Sequence, residues 1–189
     1  MKIRKWWFVA GVPAVLAVLL IPAARPAAHV LKAHADIQGV VNSGITGEAK
    51  FIQTDDGVIP NVRVIVHVRG LIPNTAHGLH IHETGVCTPP TYASAGGHFD
   101  PGPSSNTNPD GNHPFHMGDL NSLQANSDGE ANLEYVTSRI SLSPGPLSLF
   151  DMDASAIIVH LRPDQGITGA PGSGVAGGPR IACGQILQD

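Results

Sequence analysis

The chain has 189 residues, with 11 Lys plus Arg against 15 Asp plus Glu and a formal net charge of −4. That length accommodates one ordinary domain plus an appendage, and the balance excludes the basic footprint of a nucleic-acid binder. Gly (22) and Pro (16) are abundant and long helical apolar stripes are absent, so the pattern predicts an all-β domain with substantial loops.

The appendage is the N-terminus, residues 1–35. Lys2, Arg4 and Lys5 precede an apolar run from Trp6 to Ile21, and a small-residue stretch ends at Ala33-His34-Ala35. A basic region, a short apolar run and an A-x-A site are the parts of an export signal. Interrupted by Gly11 and Pro13, the run is a little short for a spanning helix, which takes about 20 apolar residues. The expectation is either a signal cleaved on export to the periplasm or the outside, or a retained membrane anchor, with contact to a membrane only in the second case. The domain then covers residues 36–189, with six basic against fifteen acidic side chains and a net of −9. Cys87 and Cys183 are the only cysteines, and in an oxidising compartment an even count favours a disulfide.

Along the domain, residues 36–41 and 45–54 are expected as strands joined at Asn42-Ser43-Gly44, with a tight turn at 55–57. In "NVRVIVHVRG", Val62, Val64, Val66 and Val68 share one face, which predicts a half-buried strand. The next strand carries "AHGLHIHETG", residues 76–85. Successive side chains on a strand point to opposite faces, so His80 and His82 lie side by side while Leu79 and Ile81 face the other way. A long irregular segment follows from about 84 to 114; such a loop is unusual unless it is functional or pinned. "MGDLNSLQ", "EANLEYV" and "SAIIVHLR" are expected as further strands, with a hairpin turn at Asn126–Gly129. A second loop, 162–179, is nearly free of charge, and the last strand covers about 180–187. Eight short strands with turn punctuation imply a sandwich or flattened barrel.

Six of the domain's histidines fall in or beside the two loops: His80, His82, His98, His113, His116 and His160, with Asp119 close behind. Imidazole nitrogen suits copper and zinc, and a carboxylate can complete a zinc tetrahedron. From the residues alone this is a His-rich transition-metal site.

The stretches "HGLHIHE", "SAGGHFDP", "HMGDL", "AIIVHLRPD" and "GGPRIACGQI" occur in that order, and together they closely resemble copper/zinc superoxide dismutase in its exported bacterial form, over residues 36–189. The resemblance implies an all-β, eight-stranded Greek-key flattened barrel, an immunoglobulin-like sandwich with two long functional loops. It also implies copper and zinc as cofactors and the superoxide anion as substrate, and it leaves a homodimer open. By resemblance His80, His82 and His160 are copper ligands, and His98 bridges copper and zinc and takes part in catalysis. His116 and Asp119 are zinc ligands, and Asp164 is the carboxylate that links the two metal sites by hydrogen bonds to their histidines. Arg180 guides and binds superoxide, Cys87 and Cys183 form the family's disulfide, and His77 is a hydrogen-bonding residue with no metal.

Two departures stand out. The family's third zinc histidine lies midway through the first loop, where this chain reads "SSNTNPDG". His113 is the spare candidate if residues 113–116 form a β-turn; Asp110, or an incomplete copper-only arrangement, is the alternative. The family often places charges in the second loop to steer the anion, whereas "QGITGAPGSGVAGG" has none. Two other functional classes remain at this level: a non-enzymatic copper-binding module, and a zinc hydrolase with Glu83 as its base.

Overall fold

Strands form where apolar and polar side chains alternate, and the valine run sets the frame. The computed structural model describes residues 30–54, 61–102 and 105–189. The apolar run of the predicted leader and the turn expected at 55–57 lie outside these residues. β1 (Val30–Gly39), β2 (Thr46–Thr54) and β3 (Asn61–Arg69) form an antiparallel meander in which Ala35 faces Ala49 and Ala49 faces Val66. All four valines of β3 are buried, beside Ile37 and Phe51, while Arg63 and the partly buried His67 lie on the outer face.

β4 (Ala76–His77) pairs with β6 (Leu123–Gln124) in a small separate ladder. β5 (Leu79–His82), β7 (Ala131–Thr137), β8 (Ala156–His160), β9 (Arg180–Gln185) and β10 (Leu187–Gln188) complete the main sheet. Its order is β5-β8-β9-β1-β2-β3-β7, with β10 pairing on β1. The chain leaves β3 near one end of this order, appears at the other end as β5, returns as β7 and crosses back as β8. These crossings are Greek-key connections in an antiparallel all-β fold, as the resemblance implies.

Burial on both faces of β8 explains how the sheet carries a loop as well as a core. Ile157 and Val159 join the main cluster with Leu79 and Ile81. Ala156 and Ile158 point the other way and pack with Tyr92, Ala95 and Cys183 beneath the first loop. That second cluster is closed covalently by the disulfide Cys87–Cys183, across a sequence separation of 96. Disulfides typically contribute about 2–4 kcal/mol, and the longer the loop they close the larger the effect.

The structure departs from several expected strand boundaries, and the histidine strand itself is divided into β4 and β5. β1 begins at Val30, so the folded sheet takes in residues 30–35, assigned from the sequence to the leader. Ala33 and Ala35 are 2% and 0% exposed, and small side chains suit an inward strand position as well as they suit a cleavage site. "MGDLNSLQ" is not one strand: Asp119 turns back to accept the His116 backbone N–H at 3.0 Å, and pairing resumes only at Leu123. The last strand is split, because Ile186 donates to the Ser155 carbonyl and is buried between β9 and β10.

A chain starting at Asp36 is expected to unfold at lower urea than one starting at Val30. Register pairs from Val30–Thr54 to Ala35–Ala49 would be lost, and at roughly 0.2–1 kcal/mol per cross-strand pair the loss should be at least about 1 kcal/mol. Equal midpoints would mean that residues 30–35 are not part of the folding unit.

Candidate metal centre

β5 is buried on both faces. Leu79 and Ile81 enter the main core, which leaves His80 and His82 together on the opposite face, as strand parity requires. The first loop folds over that face by pairing with β5: Phe99 donates to the Ile81 carbonyl and Ile81 to the Gly118 carbonyl, each at 2.9 Å. This ladder sets His98 opposite His82 and Asp119 opposite His80. His160 ends β8 at a register shift between Val159 and His160, and its N–H donates to the Gly78 carbonyl at 2.8 Å. It therefore sits at the end of a central strand, where it reaches the same corner. Gly177 (φ +91°) crosses it so closely that a Cβ there would lie 2.8 Å from the His160 Cβ.

The imidazoles crowd. Ring centroids are 4.2 Å apart for His80–His98, 4.8 Å for His80–His160 and 4.9 Å for His82–His98. What orders them is the nitrogen that each turns outward. His82 Nδ1 donates to the Gly96 carbonyl (3.1 Å) and His160 Nδ1 to the Gly178 carbonyl (2.8 Å). His80 Nε2 and His113 Nε2 bond the two oxygens of Asp164 at 2.9 and 2.7 Å. His116 Nε2 donates to the Gly111 carbonyl at 2.7 Å. An N–H committed outward leaves a lone pair on the inward nitrogen, the form in which histidine binds a metal.

The inward nitrogens are the unusual feature. His80 Nδ1, His82 Nε2, His98 Nε2 and His160 Nε2 are buried without a hydrogen-bond partner, a costly state for a polar atom unless something else takes it. Among the described residues, two sets bring one ligand atom each within 4.8 Å of one another: His80, His82, His98 and His160, and His80, His98, His113 and Asp119. His80 spans both sets, but with Nε2 held by Asp164 its one free nitrogen can serve only one of them. His116 is the further donor on the second side, with Nδ1 2.9 Å from Asp119 Oδ2. These nitrogen-rich sets fit copper and zinc by donor type.

Electrostatics follow from burial. Loss of water pulls His80 and His98 down to about 4 and His160 to about 3, from an ordinary 6.5, and holds His82 well below it. Burial would also lower His113, yet Asp119 and Asp164 together raise it to about 9. Burial alone would raise both carboxyls; hydrogen bonds from His113, His116 and His98 hold Asp119 far below its usual range, and those from His113, His80 and the Gly166 N–H lower Asp164.

The structure brings the residues singled out in the sequence together, with some differences in how. The turn at His113 runs one residue earlier than expected, with Phe115 N–H donating to the Asn112 carbonyl at 2.9 Å. His113 and His116 still converge on Asp119, His113 Nδ1 standing 3.2 Å from Oδ2. Asp110 turns away: its carboxylate accepts the Gly174 and Ala176 N–H groups at 3.0 and 3.2 Å, pinning the second loop. His77 bridges the Thr75 hydroxyl and the His160 carbonyl. Arg180 is anchored by the carbonyls of Tyr92 (2.6 Å) and Gly96 (2.5 Å) and shares the wall of a cavity of about 400 Å³ with His160. Glu83 belongs to neither ligand set and accepts the Gly97 N–H at 2.6 Å.

Two arginines went unassigned in the sequence. Arg162 lines the same cavity as Arg180, and Arg139 donates to the His116 carbonyl. Two residues past His160, Arg162 could have been found from its place at the rim. Nothing local marks Arg139.

Residues 45–186 match the family described as copper/zinc superoxide dismutase. The chain is 34% identical over 159 residues to "Superoxide dismutase [Cu-Zn] 2" of Aquifex aeolicus, covering 82% of this chain and 86% of that protein. It is 38% identical over 149 residues to "Extracellular superoxide dismutase [Cu-Zn]" of Drosophila melanogaster, covering 77% of each. The crystal structure of a SOD-like protein from Bacillus subtilis superposes with a TM-score of 0.64 at 28% identity, over 80% of this chain and 95% of that one.

Acid should unfold the metal-free protein early. His80, His98 and His160 have folded values below the ordinary 6.5, so the unfolded chain takes up their protons first and stability falls with pH. The Tm of metal-free protein is expected to drop as pH is lowered from about 6.5 towards about 4. His113 works in the other direction: its stabilisation is present below 6.5 and is lost as pH rises through about 9. A Tm that stays level from pH 6.5 to 4 would contradict neutral burial of these rings.

Proposed function

The chain belongs to the copper/zinc superoxide dismutase family, and we propose that it dismutates superoxide in the cell envelope with copper held by His80, His82, His98 and His160 beside zinc held by His98, His113, His116 and Asp119. One observation carries this reading: four inward imidazole nitrogens, on His80, His82, His98 and His160, are buried and unpartnered, while the outward nitrogens of His80, His82, His113 and His160 are committed to oxygen acceptors.

Copper, when bound, supplies the one-electron exchange that converts two superoxide ions and two protons to dioxygen and hydrogen peroxide. The chain's own residues do the rest. His98 Nδ1 lies on the Asp119 side at 2.7 Å, and its unpartnered Nε2 is the atom placed to take a proton and give it up. Asp164 joins His80 to His113 through its two oxygens, so the copper-side and zinc-side rings are positioned by one carboxylate. Thr168 Oγ donates to the His113 carbonyl at 2.7 Å, which fixes the zinc-side loop against the second loop.

Attraction of an anion to an acidic protein falls to the cavity mouth. Arg180 stands with two donors anchored on carbonyls, while Arg162 contributes a second cation to the same wall. Sequence reasoning left the anion's approach to Arg180 and the metals; the second arginine divides that work. Cations at a cleft act at short range, where salt screens them least. Export is supported by the basic and apolar leader and by the Cys87–Cys183 bridge, since disulfides persist in oxidising compartments.

His113→Ala should lose zinc preferentially and keep copper, measured as metal content after loading with both ions. Unchanged zinc stoichiometry would remove His113 from the site, and a wild-type protein that binds copper alone would leave the zinc half of the proposal empty.

Arg180→Leu should lower kcat/KM by roughly ten-fold, about 1.4 kcal/mol of barrier, at unchanged copper content. Arg180→Glu should cost more. With Arg162 still in place, the Leu variant should keep part of the decline in rate with ionic strength, and the Arg180→Leu, Arg162→Leu double variant should lose it. Pulse radiolysis across salt concentrations measures all three; equal rates at matched copper loading would leave the arginines structural.

A further inference from the structure

Glu83 follows the ligand pair directly, and neither metal set uses it. Its carboxylate lies over the first loop at Gly96 and Gly97. Oε1 accepts the Gly97 N–H at 2.6 Å, and the Glu83 backbone N–H donates to the Gly97 carbonyl at 3.0 Å. Gly96 sits at φ +71°, and a Cβ there would meet the Glu83 Cγ and Oε1 at 2.6 Å, so the side chain packs directly on the glycine.

The Gly97 N–H and the Gly96 carbonyl are two ends of one peptide group. The carbonyl end accepts Arg180 Nη2 at 2.5 Å and His82 Nδ1 at 3.1 Å. One planar unit therefore receives a carboxylate at its N–H and a guanidinium plus an imidazole at its oxygen. A peptide is rigid about its C–N bond, so an acceptor that fixes the N–H direction also fixes where the oxygen points. Hydrogen bonds in such a chain polarise one another, and the negative charge at one end strengthens the acceptor at the other.

We propose that Glu83 is a positioning residue: by holding the Gly96–Gly97 peptide it sets both the placement of Arg180 at the anion cavity and the His82 tautomer that leaves Nε2 free. The inference rests on the reading of Arg180 as the anion-binding cation and of His82 as a metal ligand. Glu83 itself touches neither substrate nor metal. Glycine is required beneath it for a physical reason, because any side chain at Gly96 would displace the carboxylate.

Two substitutions separate the acceptor from the charge. Glu83→Ala removes both; Glu83→Gln keeps a carbonyl oxygen that can accept the Gly97 N–H. The probe is azide, a small monoanion, titrated into copper- and zinc-loaded protein and followed by the visible spectrum, with the copper EPR signal recorded on the same samples. Glu83→Ala is expected to weaken azide binding by about three- to ten-fold, the size of one lost hydrogen bond, and to change the EPR hyperfine pattern through His82. Metal content should match wild type. Glu83→Gln should recover most of the azide affinity and the wild-type EPR pattern.

Wild-type azide affinity and EPR in Glu83→Ala would overturn the proposal. So would a Gln variant as impaired as Ala, because the charge and not the held peptide would then be the cause. An Arg180→Leu control that binds azide like wild type would refute the anion-binding reading of Arg180 instead. The Glu83 inference would then be decided on its His82 arm alone: an EPR change in Ala that Gln restores supports it, and an unchanged signal overturns it.

Discussion

The structure depends on keeping a group of closely packed imidazoles neutral on their inner side. Rings whose centroids lie 4.2 to 4.9 Å apart in a buried corner would repel if protonated and would lose their water in any state. The chain meets this by giving outward nitrogens fixed oxygen partners and by placing two carboxylates, Asp119 and Asp164, among the rings. Those carboxylates are anions by virtue of the histidines around them, and the histidines keep their orientation by virtue of the carboxylates. The remaining contacts serve this arrangement. Asp110 holds the second loop by backbone N–H groups, Thr168 holds the His113 carbonyl, and Arg139 holds that of His116.

Because the outer contacts are mostly to backbone carbonyls, the site is only as exact as the two loops that carry it. Gly96, Gly111 and Gly178 each lend a carbonyl to a histidine. A glycine-rich loop is soft alone, so its rigidity here is borrowed. The disulfide closes one end of the first loop, and Tyr92 reaches from its middle to the Gln38 carbonyl at the end of β1 through its hydroxyl at 3.0 Å. The cluster of Tyr92, Ala95, Ala156, Ile158 and Cys183 fills the space between.

Strand parity made much of this legible in the sequence. The spacing of His80 and His82 put two rings on one wall, and alternation of Val62 to Val68 put the core on one side of β3. Ordered motifs supplied His98, Asp119, His160 and Asp164, and the structure gathers them in one corner. Where sequence reading fell short, the cause was a contact between distant segments or a residue type that serves two purposes. Ala33 and Ala35 satisfy a cleavage pattern and an inward strand face equally well. Asp119 breaks the strand expected at "MGDL" by bonding backward to His116. Arg139 reaches the His116 carbonyl through a loop contact that no local pattern encodes, and His113 was singled out only because no other histidine was spare.

The crossing connections that bring β5 beside β8 also determine when the site can exist during folding. His80 meets Asp164 across 84 residues of chain, and the Gly96 carbonyl meets Arg180 across another 84; contacts of such sequence distance form slowly because loop closure must precede them. For a chain emerging from its N-terminus, the His80–His82 pair appears long before the strand that bears His160. Until β8 and β9 dock, an ion captured by that pair would meet an incomplete set of donors in an open, wet loop. The full set of donors is therefore assembled late, timed by the last strands of the fold and not by the histidines that come first.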